Sequence, residues 1–152
     1  MSRLLTDTSF DHFLFVSARL TTFISFQIDG KYYPDFFSSA QETEQTDYAP
    51  WKLVRPHLLS LIRGNNRPLE MRLVFALSAR NLEQLLQSSA VSCRPSDIAG
   101  LYLNITYKGN ELYCTGGTAM KIFTLDRQID QLWDLTIQKI LRNLKIPFIM
   151  NS

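Results

Sequence analysis

Hydrophobic and polar residues alternate along several stretches of the chain, and this period-two pattern predicts β-strands. The clearest example is the stretch 69–77, whose apolar face consists of Leu69, Met71, Leu73, Phe75 and Leu77. Residues 101–107 repeat the pattern, and residues 14–28 show it in their second half. We therefore expect a half-buried strand in each of these three stretches.

Two dipeptides predict tight hairpin turns. Asp29-Gly30 and Gly109-Asn110 both contain residues that tolerate a positive φ, as two-residue hairpin turns require. The first predicts a return strand over residues 31–33, and the second predicts a return strand over residues 111–123. Gly116-Gly117 lie within this last strand, and they indicate either a β-bulge or the close approach of another part of the chain.

Apolar residues at spacings of three and four predict helices. The longest such pattern covers residues 127–144, with acidic residues near its start and basic residues near its end, as the helix dipole favours. Shorter patterns predict helices over residues 4–13, 55–63 and 79–88. Pro56 fits the first position of the second of these, so a separate short turn is expected before it.

The order of these elements predicts the fold class. Strands grouped in hairpins, with helices between them, are typical of an α+β fold with an antiparallel sheet of about five strands and helices packed mainly on one face. The length of 152 residues fits a single globular domain, 1–152. Residues 38–49 contain almost nothing to bury, so we expect an exposed loop there.

The net charge of +2 conceals an uneven distribution. Residues 1–50 carry seven acidic and three basic side chains, whereas residues 51–94 carry seven basic and two acidic ones. One interpretation is that the two regions neutralise each other in the fold, with Arg55 paired to an acid such as Asp47 or Asp29. The other interpretation is a basic patch for an anion. Its candidate ligand-binding residues are Arg55, His57, Arg63 and Arg67.

The sequence contains no recognisable catalytic, metal or cofactor motif. The two cysteines, Cys93 and Cys114, and the two histidines, His12 and His57, do not have the spacing of a zinc site. A nucleophile elbow is absent, and the apolar runs are too short for a membrane helix. We therefore expect a cytoplasmic protein with reduced thiols, no cofactor, no catalytic residue and no membrane partner.

Several stretches carry a resemblance to a known family. They include Phe10-Asp11-His12-Phe13-Leu14, Arg55-Pro56, Val74-Phe75-Ala76-Leu77-Ser78, Leu112-x-Cys114-Thr115-Gly116-Gly117-Thr118 and Trp133-Asp134. Together they resemble an uncharacterised family of small bacterial proteins, described only as a domain of unknown function. The resemblance spans nearly the whole chain. It implies a free-standing bacterial protein, and it transfers no catalytic residue, cofactor or partner.

Three classes of function follow from these observations. The first is a non-catalytic protein that acts through a protein partner or by forming a homo-oligomer. The second is binding of nucleic acid or of an anionic ligand through the arginine-rich segment 51–94. The third is an enzyme whose active site is assembled from residues distant in sequence.

Overall fold

The computed structural model describes residues 5, 7–37, 46–62 and 67–150. These residues form six β-strands: β1 (Leu14–Thr21), β2 (Ser25–Asp29), β3 (Ala49–Pro50), β4 (Glu70–Ala76), β5 (Ile98–Lys108) and β6 (Glu111–Met120). They also form three α-helices: α1 (Trp51–Leu61), α2 (Ala79–Gln87) and α3 (Gln128–Asn143).

The strands form one antiparallel sheet in the order β2-β1-β4-β5-β6, and the short β3 pairs with β1. This arrangement confirms the predicted α+β class and the antiparallel sheet. Side chains alternate across the sheet, so one face buries Phe15, Leu73 and Leu103 while the opposite face carries Arg19 and Arg72. Among the described residues, the apolar core lies against the first face.

The helices cover that apolar face, as predicted. Trp51 at the start of α1 is fully buried, and its ring lies 4.9 Å from that of Phe75 in an edge-on arrangement. Trp133 of α3 is also fully buried and donates its indole N–H to the backbone carbonyl of Tyr102 at 2.7 Å. The other face of the sheet has no helix on it among the described residues, and we refer to it as the open face.

The first hairpin turns earlier than predicted. β1 and β2 are joined by residues 22–24, where the N–H of Thr22 donates to the carbonyl of Ile24. Residues 31–33 do not return as a strand; Lys31 alone bridges to Tyr48. Gly30 therefore serves close packing instead of a turn, because a Cβ there would lie 2.0 Å from the carbonyl oxygen of Phe15.

Helix α1 begins before the predicted position. It starts at Trp51 and includes Pro56, which the sequence placed at the first helical position. Proline removes one hydrogen bond within the helix. Burial of Trp51 before Pro56 and of Leu58 after it holds both parts of the helix against the core. Residues 63–66 lie outside the described residues, and so does the predicted end of this helix.

The segment before β1 also departs from its prediction. A continuous helix was expected over residues 4–13, of which 4 and 6 lie outside the described residues. Residues 7–13 form successive turns, in which the N–H of Asp11 donates to the carbonyl of Thr8 and the N–H of Phe13 donates to the carbonyl of Phe10. The turns bring both phenylalanine rings within about 6 Å of the Phe75 ring. Burial of these rings outweighs helix formation in so short a segment.

The second half of the chain follows the sequence closely. Gly109 and Asn110 both have positive φ and form the predicted turn between β5 and β6. Ser78 caps α2 through the N–H of Asn81. The register of β6 continues through Gly116 and Gly117, so the close-approach interpretation is the one that holds: a Cβ on Gly116 would lie 2.9 Å from Cδ1 of Ile137. Residues 38–45 of the predicted loop lie outside the described residues.

Candidate functional site: the free edge and the open face of the sheet

Arg55, the first residue of the predicted anion site, is held by an internal ion pair. Its Nε and Nη2 donate to the two carboxylate oxygens of Asp11, both at 3.1 Å, and Nη1 donates to the carbonyl of Leu5 at 3.5 Å. The sequence suggested Asp47 or Asp29 as the partner, whereas the fold supplies Asp11. This bidentate geometry uses the planar fork of the guanidinium within the protein.

Two of the other predicted ligand-binding residues, His57 and Arg67, lie within the described residues. His57 is exposed, and its position two residues further along α1 directs its side chain to a different side of the helix. Arg67 is exposed in the segment before β4. Arg63 lies outside the described residues. The four-residue anion site stays a prediction, and its central guanidinium already has a carboxylate partner.

Strand β6 forms one edge of the sheet, and no described residue pairs with its outer side. All of its side chains from Glu111 to Gly116 are exposed, on both faces of the strand. Leu112 and Tyr113 retain 44% and 45% of their surface. A ten-residue edge strand of this kind presents a row of unpaired backbone groups to solvent.

The backbone hydrogen bonds show which groups of β6 point outward. Glu111 pairs with Lys108 across the two-residue turn, and the N–H of Lys121 donates to Asp97, so odd-numbered residues face β5. Alternation along a strand then directs the N–H and C=O of the even-numbered residues away from the sheet. These residues are Leu112, Cys114, Gly116, Thr118 and Met120. The outer edge therefore offers a donor and an acceptor at every second residue.

A groove of about 240 Å³ lies beside the last residues of β6. Met120, Leu125 and Ile129 provide its apolar surface. Its polar rim includes Thr118, whose hydroxyl donates to a carboxylate oxygen of Asp130. The groove opens on the helix-covered side of the sheet, next to the free edge.

The open face has an unusual pair of like charges. Arg19 of β1 lies directly opposite Arg72 of β4. Arg72 donates to Glu70 at 2.9 Å, but Arg19 has no hydrogen-bond or ion-pair partner among the described residues. Like charges directly opposite each other weaken a sheet, so this pair costs stability unless an anion lies between them.

A second groove, of about 370 Å³, lies between His12, α2 and α3. Partial burial lowers the pKa of His12, although the residue stays exposed, and the neighbouring Asp11 partly opposes this effect. Asn81, Gln84 and Ser88 share one face of α2 and line the groove. These are neutral hydrogen-bonding groups beside a histidine whose lowered pKa favours its neutral form.

The cysteines lack the features of activated nucleophiles. Desolvation of the sulfur raises the pKa of the Cys114 thiol, although the residue as a whole is exposed, and desolvation together with the nearby Asp97 raises the pKa of the Cys93 thiol. Both groups therefore favour the protonated form, which is the less reactive one. Within the part of the chain that the structure describes, no three side chains of the metal-binding types come together, and no helix is long and apolar enough to span a bilayer.

Comparison with known proteins identifies the family. The profile of a family of unknown function, DUF5721, matches residues 3–149. This chain belongs to DUF5721. No curated protein and no solved structure matches it. The resemblance noted from the sequence is thus confirmed at the level of a family of unknown function.

Proposed function

We propose that this protein is a non-catalytic interaction module of the cytoplasm, and that it associates with another polypeptide by adding a strand to β6. The observation that carries the proposal is the free outer edge of β6, where residues 112–120 present outward-facing N–H and C=O groups. An added strand forms main-chain hydrogen bonds with such groups, and the contacts of its alternate side chains determine which partner binds.

The opposite edge of the sheet is less suited to this role. β2 has five residues, half the length of β6, and the chain beyond it turns away after Asp29. Lys31 and Tyr48 then form a bridge of their own. Short edge strands limit pairing, whereas β6 has the length and the exposed Leu112 and Tyr113 side chains that support it.

Selection of peptides on the full-length protein tests this proposal. A phage-displayed library of random peptides of about 12 residues, long enough to match β6, is panned against the immobilised chain. We expect selected peptides to bind at least about tenfold more weakly to Leu112→Lys. Leu53→Lys is the matched control, because Leu53 of α1 is 40% exposed and distant in sequence. Peptides that bind Leu112→Lys as tightly as the wild type, or the absence of any selected peptide, would contradict the proposal.

The pair of Arg19 and Arg72 favours a second candidate, the binding of an anionic ligand on the open face. An oxyanion placed between the two guanidinium groups would relieve the repulsion that their opposition creates. Gln27 and Thr106 continue the same cross-strand row and add neutral donors. Arg72 belongs to the arginine-rich segment 51–94, whereas Arg19 lies outside it, and neither is among the four predicted ligand-binding residues.

Thermal unfolding with and without inorganic pyrophosphate tests this second candidate, at constant ionic strength. Pyrophosphate is expected to raise the melting temperature of the wild type, because a ligand that binds only the folded state stabilises it. Arg19→Gln should remove this increase, whereas Arg80→Gln, which changes an exposed arginine on α2, should preserve it. An equal increase in Arg19→Gln would show that the pair is not the binding site.

A further inference from the structure

We propose that the strand added to β6 is β6 of a second copy of this chain, in a symmetric dimer centred on Gly116. This inference rests on the proposed function and names its partner. In the proposed register, each residue faces the one equally distant from Gly116 on the other side. The two sheets would then continue across the interface as a single antiparallel sheet.

The backbone pattern of β6 accommodates this register. Facing residues in an antiparallel pair alternately exchange two hydrogen bonds or none. Centring on Gly116 places it opposite itself, and it places Cys114 opposite Thr118 and Leu112 opposite Met120. All of these are outward-facing residues, so they fall into the exchanging pairs. Each outward N–H of residues 112–120 then meets a carbonyl of the second copy.

Charge selects this register over its neighbours. Glu111 and Lys121 lie five residues on either side of Gly116, so each Glu111 faces Lys121 of the second copy. Symmetry creates this ion pair twice. A shift that centres the pairing on Thr115 or Gly117 places Glu111 opposite Ala119 or Phe123 instead, and both ion pairs are lost. Opposite charges across a strand pair stabilise it, whereas in the shifted registers Glu111 faces no cation of the second copy and has only Lys108 of its own sheet opposite it.

Side-chain shape agrees with the charge. On the open face, the large Tyr113 lies opposite the small Ala119 of the second copy. On the other face, Leu112 lies opposite Met120, beside the groove of about 240 Å³ that Leu125 and Ile129 help to line. The groove thus provides an apolar surface for a leucine side chain that is 44% exposed in the monomer. Burial of this side chain favours association.

The centre of the interface is crowded by α3. A Cβ on Gly116 would lie 3.0 Å from a carboxylate oxygen of Asp134, so this side chain of α3 lies close to the proposed two-fold axis. Paired strands are about 4.8 Å apart, and the two Asp134 carboxylates would therefore lie near each other. This repulsion and the small area of an edge contact predict a weak, reversible dimer.

Analytical ultracentrifugation of the full-length protein from about 1 to about 200 µM tests the dimer. We expect a monomer–dimer equilibrium in the wild type and a dissociation constant at least about tenfold higher in Lys121→Glu. The double variant Glu111→Lys, Lys121→Glu exchanges the charges and should restore the wild-type constant to within about threefold. Lys139→Glu makes the same charge change at an exposed position of α3 and should have no such effect.

A wild type that stays monomeric over this range would overturn the dimer, as would a Lys121→Glu dimer of unchanged strength or a double variant that is not restored. Circular dichroism of each variant confirms that the fold is retained. The proposed function fails separately: peptides that depend on Leu112 would support strand addition even if the chain were monomeric. A dimer that persists in Leu112→Lys would contradict the use of the β6 edge altogether.

Discussion

Asp11 accepts two hydrogen bonds from Arg55, and this pair joins the turns before β1 to helix α1 across 44 residues of sequence. Both side chains are about one-fifth exposed. We expect Asp11→Asn to lower the free energy of unfolding by about 1–2 kcal/mol, because a charge-assisted, two-pronged contact becomes a neutral one. Urea denaturation measures the change, and Asp35→Asn, at an exposed position, should stay within about 0.5 kcal/mol of the wild type.

The contact between Trp133 and the carbonyl of Tyr102 gives a second prediction. Trp133→Phe retains most of the buried ring but removes the indole N–H, so we expect a loss of about 1–2 kcal/mol in the free energy of unfolding. Trp133→Ala also empties the site beneath α3 and should cost about 3–5 kcal/mol. Equal losses for the two variants would show that the hydrogen bond, and not the ring, provides the stability.

The sequence predicts this part of the fold well because its signals are local. Apolar residues spaced three and four apart predict helix α3. The dipeptide Gly109-Asn110, between two stretches of alternating apolar and polar residues, predicts the β5–β6 hairpin. The same reasoning failed at Asp29-Gly30, whose turn chemistry is equally good. There, Gly30 is required by its contact with Phe15 on a neighbouring strand, and such a requirement does not show in the local sequence.

The free edge at β6 and the Arg19–Arg72 pair were harder to predict, because both depend on the order of the strands in the sheet. Whether a strand lies at an edge depends on the order of strands in the sheet, and neither alternation nor turn residues specify that order. A weak signal was present, since polar and small residues occupy both faces of β6. Likewise, the opposition of Arg19 and Arg72 arises from the pairing of β1 with β4, which are separated by α1 in the chain.

His12 predicts a pH dependence of stability. Its pKa is lowered in the fold, mainly by burial, so the unfolded chain binds more protons than the folded one just below the usual value of 6.5. The contribution of His12 to stability is therefore complete above that value and is lost as the pH falls toward its lower folded pKa. Urea midpoints at about pH 7.5 and about pH 5.5 should differ less in His12→Gln than in the wild type.

A His12→Gln variant with an unchanged pH dependence would assign the loss of stability to carboxylates instead. Asp11 opposes the effect of burial on His12, so Asp11→Asn should make the pH dependence steeper.

Asp134 gives the last prediction, which concerns the strength of the dimer. Its carboxylate lies above Gly116, and a two-fold axis at Gly116 brings it near its counterpart in the second copy. Asp134→Asn keeps the shape of the side chain but removes both charges, so we expect the dissociation constant to fall by about threefold to tenfold at low salt. Added salt should reduce this gain because it screens the repulsion in the wild type.

Asp35→Asn changes the net charge equally but lies in the 3₁₀ turn after β2, so it should leave the dissociation constant of the dimer unchanged. If Asp134→Asn weakened the dimer or left it unaltered, the two-fold axis could not lie at Gly116.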